Sequence, residues 1–255
     1  MSVKRNQKQV VAERRDRKAA TGKVVQPKYE QQRFDQINTA PLVPMNEKQR
    51  EYMQLIQDKD TVLAIGYAGT SKTYIPTVMA CDLYRTGKIR KIVFTRPNIS
   101  NSKSLGAFGG DLVQKMSNWL MPVMNILRDR LGENTLEIAI KNGDIEFVPM
   151  EVVKGYSAED CFFIVDEAED LTYDEAKKIV TRQGKGCRMV LAGDIQQSEL
   201  KERSGLKTLA NIAELCPFID MGLVNFNHKN DIVRGTACAN WIIGFERWEA
   251  KLEGE

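Results

Sequence analysis

The sequence predicts an α/β protein built on a doubly wound, mainly parallel sheet. Six short apolar runs alternate along the chain with longer stretches of helical period. Several of these runs are apolar at consecutive positions, as strands covered on both faces are. Strand and helix in alternation form the pattern of a parallel sheet whose ligands sit at the carboxyl ends of its strands.

Taken in order, the elements begin near residue 41 with a helix over 46–57, the strand TVLAI at 61–65, a helix over 73–86 and the strand KIVFT at 91–95. A helix over 111–130 follows, then the strands IEFV at 145–148 and CFFIV at 161–165, and a helix over 172–182. The chain closes with RMVLA at 188–192, a helix over 204–214, GLVNF at 222–226 and a last helix near 231–250. Thr172 and Glu175 form a T-x-x-E capping box. Asn46 and Gln49 have a similar form at the first helix, where a cap is the first reading of Gln49 and a contact with an adenine edge is the other. Met116, Met121 and Met124, and Trp241 with Trp248, recur at helical spacing and are read as packing residues.

Composition narrows the function classes. A chain of 255 residues with 42% hydrophobic and 28% charged side chains is neither disordered throughout nor fibrous, and it has no room for two full-sized helicase-type domains. No apolar run approaches the ~18 residues that span a bilayer, and the N-terminus is basic and polar, so a cytoplasmic chain without a membrane partner is expected. The five cysteines lack any C-x-x-C pair and are read as single buried thiols in a reducing compartment. His228 is the only histidine and is read as a polar loop residue, which excludes paired-histidine catalysis. Residues 1–40 show no sustained apolar period and are read as a basic, largely disordered arm ahead of a single domain over 41–255. Ten Lys and Arg stand against four Asp and Glu in residues 1–35. Such an arm meets phosphate backbones or is merely solvated, and both readings stay open.

The strongest local signal is Gly66-Tyr67-Ala68-Gly69-Thr70-Ser71-Lys72-Thr73, set between a strand and a helix as a phosphate-binding loop is. Small residues let the backbone turn tightly, so that its amides and the helix N-terminus surround an anion. Lys72 then neutralises the β- and γ-phosphates of ATP and the Thr73 hydroxyl binds Mg²⁺. Ser71 stands where a second glycine is usual, at a cost of about 1–2 kcal/mol if its backbone is left-handed. Asp166 and Glu167 close the strand CFFIV on the same rim, where Asp166 serves the metal and Glu167 polarises the attacking water. Gly193, Asp194 and Gln197 follow the strand RMVLA, and an amide at Gln197 suits a γ-phosphate sensor. Arg96, after KIVFT, is open to contact with nucleic-acid phosphate or with the nucleotide.

In this order the motifs resemble the PhoH family, phosphate-loop ATPases related to the first domain of superfamily-one helicases. The resemblance runs over about residues 43–248, through PMNEKQREYM, GYAGTSKTYI, FTRPNISNSKSLGAFGGDL, VPMEVVKGYS, FIVDEAED, IVTRQG, LAGDIQQSEL, SGL and VNFNHKNDIVR. It implies a RecA-like P-loop NTPase core using ATP and Mg²⁺. Residue by residue it implies that Gln49 contacts adenine, that Gly66, Tyr67, Ala68, Gly69, Thr70 and Ser71 surround the phosphates beside Lys72 and Thr73, and that Asp166 and Glu167 are the hydrolytic pair. It further implies Gln197 as sensor and Arg234 as an arginine finger, supplied by a neighbouring copy in a homo-oligomeric ring such as a hexamer. Ser71, Glu169, Tyr156 and Gly235 depart from the family pattern, and no fused nuclease module is expected.

The first functional expectation is therefore an ATPase, helicase-like, that couples hydrolysis to binding or remodelling of RNA or single-stranded DNA. The alternative is a slow nucleotide-dependent switch without motor activity. A small-molecule kinase also joins a phosphate loop to an Asp-Glu pair, but the absence of a paired-cysteine element and the Gly193 to Gln197 segment argue against it.

Overall fold

The computed structural model describes residues 37–97, 112–200 and 203–253, with side chains given outside 112–120 and 253. The basic arm, apart from residues 37–40, lies outside the described residues. Six strands form one sheet: β1 (Thr61–Gly66), β2 (Lys91–Thr95), β3 (Ile145–Phe147), β4 (Cys161–Val165), β5 (Arg188–Gly193) and β6 (Met221–Phe226). They lie in the order β3-β2-β4-β5-β1-β6, and every pairing is parallel. The helices are α1 (Glu47–Asp58), α2 (Tyr74–Arg85), α3 (Leu112–Leu131), α4 (Glu133–Asn142), α5 (Met150–Val153), α6 (Tyr173–Val180), α7 (Gly205–Leu215) and α8 (Thr236–Glu253).

One rule of handedness accounts for both helical layers. A crossover between parallel strands is right-handed in nearly all proteins. From β1 to β2 and on to β3 the chain travels towards one edge of the sheet, and from β3 through β4 and β5 to β6 it travels back. Reversing direction moves the crossover helices to the opposite face. Accordingly Ile75 of α2, Leu127 of α3 and Leu136 of α4 pack with Val62, Phe94, Ile164 and Val190, whereas Met150 of α5, Ile179 of α6 and Leu206 of α7 pack with Leu63, Val93, Phe163 and Leu191. Alternate strand residues thus enter opposite cores, as the two-residue period of a strand requires. β4, buried at all five positions, sits near the centre.

Several expectations from the sequence shift. The capping box holds at α6, where Glu175 N donates to Thr172 Oγ1 and Thr172 N to the Glu175 carboxylate. The last helix begins at Thr236, because a 3-10 turn over Lys229–Asp231 and an extended stretch to Gly235 come first. The Trp residues of α8 do not pack inward: Trp241 is 69% and Trp248 56% exposed, on a face shared with Phe245 and Leu252. Met124 packs against the core, Met121 is exposed, and the side chain of Met116 lies outside the described residues. Cys81, Cys161 and Cys187 are buried thiols, while Cys216 and Cys238 are half-buried.

At Gly205 an added Cβ would lie 2.5 Å from the carbonyl oxygen of Thr172 and 2.7 Å from the Ala176 Cβ, so only a glycine at this position lets α7 approach α6 this closely. Gly205→Ala is expected to destabilise the fold by about 1–3 kcal/mol through overpacking, read as a lower midpoint of urea unfolding.

Candidate nucleotide site

Parallel strands end on one rim, so the segments after β1, β2, β4, β5 and β6 meet there. Gly66 ends β1 at φ +129°, where a Cβ would fall 2.1 Å from the carbonyl oxygen of Phe226. Only glycine allows Tyr67 N to donate to that same oxygen at 2.9 Å, which pins the start of the loop to β6. Ser71 sits at φ +71°, so the left-handed case applies and a non-glycine residue carries the strain.

Side chains within and beside the loop take its carbonyls. Thr70 Oγ1 donates to Tyr67 O (2.9 Å), Gln49 Nε2 to Thr70 O (3.3 Å), and Tyr52 Oη to Lys72 O (2.8 Å). Carbonyls held in this way leave the amides at the start of α2 as the groups with which an anion would bind. Lys72 Nζ donates to Tyr67 O at 2.6 Å and also to Gly66 O. An ammonium has three donors, so a third remains for a phosphate oxygen. Burial lowers the Lys72 pKa, while Asp194, Glu169 and Asp166 act against that shift.

Thr73 Oγ1 donates to Asp166 Oδ1 at 2.6 Å, which brings the two residues expected to serve the metal into contact across α2 and β4. Hard oxygen donors of this kind suit Mg²⁺, which takes few protein ligands and completes its shell with water and phosphate. Thr73 and Asp166, in contact at the mouth of the loop, are the residues that would hold it. Glu167 lies in the left-handed region at φ +49°, a strained placement of the sort found at functional sites. Its carboxylate pairs with the Arg96 guanidinium. Burial raises the Glu167 pKa and Arg96 opposes the rise.

Behind the loop, the Asp194 carboxylate accepts from Gln197 Nε2 (2.8 Å), Gln196 N (3.2 Å) and the amide of Ala68. Gln197 is thereby tied to the phosphate loop through Asp194. These groups line a cavity of about 420 Å³, closed on the far side by Pro122, Val123 and Ile126 of α3.

Three expectations change. Gln49 is 2% exposed and its amide is spent on its own chain, since Oε1 accepts from Met45 N and Nε2 reaches the loop; it does not line the cavity. It braces the loop, and Asn46 caps α1 by accepting from Gln49 N at 2.8 Å. The Tyr67 side chain also leaves the cavity: its hydroxyl donates to Glu246 of α8 at 2.7 Å and its pKa is pushed up to about 12, chiefly by burial. Arg234 lies against the loop of its own chain. Val233 N donates to Gly69 O at 3.0 Å, the Arg234 side chain would meet a Cβ on Gly69 at 2.9 Å, and Arg234 lines the same cavity. No neighbouring copy is needed to place it there.

Sequence reasoning passed over Asp194 as a ligand of the loop and Glu169 as a cavity residue. Glu169 is 7% exposed, and its pKa is pushed up to about 7, first by burial. It is one of four acidic residues within the five of DEAED, and no local pattern announces that it turns inward. For Ser71, replacement by glycine removes the left-handed strain of about 1–2 kcal/mol and adds chain entropy of about 0.5–1 kcal/mol. Ser71→Gly is therefore expected to stabilise the protein by up to about 1 kcal/mol in urea unfolding, and Ser71→Val to destabilise it.

Comparison with known proteins identifies the family. The family model described as PhoH-like protein matches residues 41–246. A PhoH-like protein of Bacillus subtilis (strain 168) is 35% identical over 201 residues, covering 78% of this chain and 62% of its own. Protein PhoH of Escherichia coli (strain K12) is 30% identical over 207 residues, covering 80% of this chain and 58% of its own. The match thus spans about three-fifths of the length of these relatives. Among solved structures, the Sulfolobus solfataricus SWI2/SNF2 ATPase core in complex with dsDNA aligns over 77% of this chain and 49% of its own at 14% identity and a TM-score of 0.42. With the family model matched across its folded body and the phosphate loop facing the Asp-Glu pair, the chain belongs to the PhoH-like protein family and carries a P-loop NTPase core.

Proposed function

We propose that this chain binds ATP with Mg²⁺ in the cavity, hydrolyses it, and couples hydrolysis to binding or remodelling of RNA or single-stranded DNA. The observation that carries the reading is the Thr73 to Asp166 hydrogen bond beside Lys72, since these are the groups a Mg²⁺-triphosphate requires within one small volume. Mg²⁺ when bound neutralises phosphate charge. Lys72 turns its remaining N–H to the phosphates. Glu167 orients the attacking water once its carboxylate is released from Arg96, and Arg234, poised over Gly69, neutralises charge that grows in the transition state. Gln197, held by Asp194, responds to the terminal phosphate and passes the change to the amide of Ala68.

Arg96 supports the coupling to nucleic acid: a backbone phosphate that takes its guanidinium frees Glu167. The basic arm adds sequence-independent attraction. A homo-oligomeric, cytoplasmic assembly belongs to this reading, with Arg234 acting on its own chain's loop. The pairing of Glu167 with Arg96 equally favours a second reading, a slow switch whose water-orienting group stays engaged.

Lys72→Ala is expected to abolish ATP turnover. Arg234→Ala is expected to reduce turnover by about 10³-fold while leaving nucleotide affinity within a few fold, measured by phosphate release and by equilibrium binding. Stimulation by RNA or single-stranded DNA supports the coupled ATPase, and a slow rate indifferent to both supports the switch. Nucleic-acid affinity should fall with salt at a log-log slope of about −0.7 per neutralised phosphate, and deletion of residues 1–35 should flatten that slope.

A further inference from the structure

Glu169 is the buried ionisable group of the cavity to which the mechanism above gives no task. Its backbone is fixed from both sides. The 3-10 turn Ala168–Asp170 is closed by Leu171 N donating to Ala168 O (3.2 Å), and the Glu169 carbonyl accepts from Ser198 Oγ (2.8 Å) and Ser204 Oγ (2.7 Å). The side chain is thereby directed over Gly193, where a Cβ would come within 2.4 Å of Oε2, and into the cavity shared with Lys72, Asp194 and Gln197. The carboxyl group accepts from the backbone amides of Glu169 itself and of Asp194. Oε2 is buried and has no hydrogen-bond partner among the described residues. A buried carboxylate oxygen without a donor is costly, whereas the neutral acid turns the same group into an O–H donor within a residue that lines the cavity.

Resting on the nucleotide reading of this pocket, we infer that Glu169 is a further ligand of the triphosphate, its carboxyl O–H donating a hydrogen bond to an oxygen of the terminal phosphate. Lys72 and Arg234 meet the phosphates as cations. Glu169 meets them as a neutral donor, which adds a contact without removing the anion's need for metal.

Charge around the group agrees. Glu167 and Asp170 on its own segment hold its pKa up, next to the larger effect of burial, which brings it to about 7. Asp194 lies at the end of β5 and Asp166 at the end of β4, while Lys72 on the loop and Arg234 after β6 are the cations that share the cavity, and Arg96 is engaged by Glu167. A bound triphosphate adds negative charge and raises the Glu169 pKa further, so binding above neutral pH takes up a proton. The sign follows: the donor is present below the pKa of the bound form, and affinity for the triphosphate falls by up to about tenfold per pH unit once pH exceeds the value in the free protein. A diphosphate, which lacks the terminal group, does not share this fall.

The test is equilibrium binding of Mg²⁺-AMP-PNP and Mg²⁺-ADP between pH 6 and 9 to the wild-type protein, Glu169→Gln and Glu169→Ala. Titration of the analogue itself is common to all three proteins and cancels in the comparison. The expected result is that the preference of the wild type for the analogue over ADP declines by about fivefold between pH 7 and 8. Glu169→Gln, with an amide donor at every pH, should show no such decline, and Glu169→Ala should lose about tenfold of the preference at pH 6.5. Equal pH responses in the wild type and Glu169→Gln, or equal weakening of both nucleotides in Glu169→Ala, would overturn the inference. Because the wild-type pH response is compared with that of a near-isosteric variant, a misfolded alanine variant does not remove the test. A wild type that binds neither nucleotide would discard the pocket assignment together with this one.

Discussion

A strand can return to a parallel neighbour only through a crossover of one hand, and this constraint organises the whole molecule. It sends α2, α3 and α4 to one face and α5, α6 and α7 to the other, and it leaves all strand ends of one polarity on a single rim. Segments about 90–165 residues apart in sequence meet there: Gly66 beside Phe226, Thr73 beside Asp166, Gly69 beside Val233. The cavity is a by-product of topology, and its chemistry depends on which residues happen to terminate each strand.

Those terminal residues are charged in both senses and balanced locally. Asp166, Glu167, Glu169 and Asp194 converge on a space that also receives Lys72 and Arg234, with Arg96 at its edge. Each acid is restrained differently: Asp166 by a hydroxyl, Glu167 by a guanidinium, Asp194 by two amides and a side-chain amide, Glu169 by backbone amides alone. Burial raises the proton affinity of Glu167, Glu169 and Asp194, and the differing partners decide how far. A site of this kind separates four chemically similar groups by environment and not by type.

Much of the architecture could be read from sequence because the central strands are covered on both sides. CFFIV and RMVLA are apolar at nearly every position, and burial of β4 at all five residues matches that pattern. The elements that escaped reading bury little. α4 contributes Leu136 and Ala139 between two left-handed or extended glycines, and α5 is a single turn after Pro149. At the site, the glycine turn, Lys72, Thr73, Asp166 and Glu167 were legible because spacing and strand context define them. Gln49 was legible within the cap made by Asn46 but not as a brace of the loop, since an amide that reads a base and an amide that braces a loop look alike until the loop carbonyl is found 3.3 Å away. Arg234 was legible as a candidate site arginine but not in its placement against its own chain's loop, because sequence does not record which copy of a loop a distant residue touches.

Tyr67 belongs to the phosphate loop by sequence and to the C-terminal helix by packing. Its ring lies with Ile232, Ala239, Ile242 and Ile243, and its hydroxyl is bonded to Glu246. Rearranging the loop therefore drags on α8 or breaks that anchorage. The opposite side of the same helix carries the outward indoles of Trp241 and Trp248. Two solvent-facing chromophores thus ride on the helix to which the anion-holding turn is tied through Tyr67.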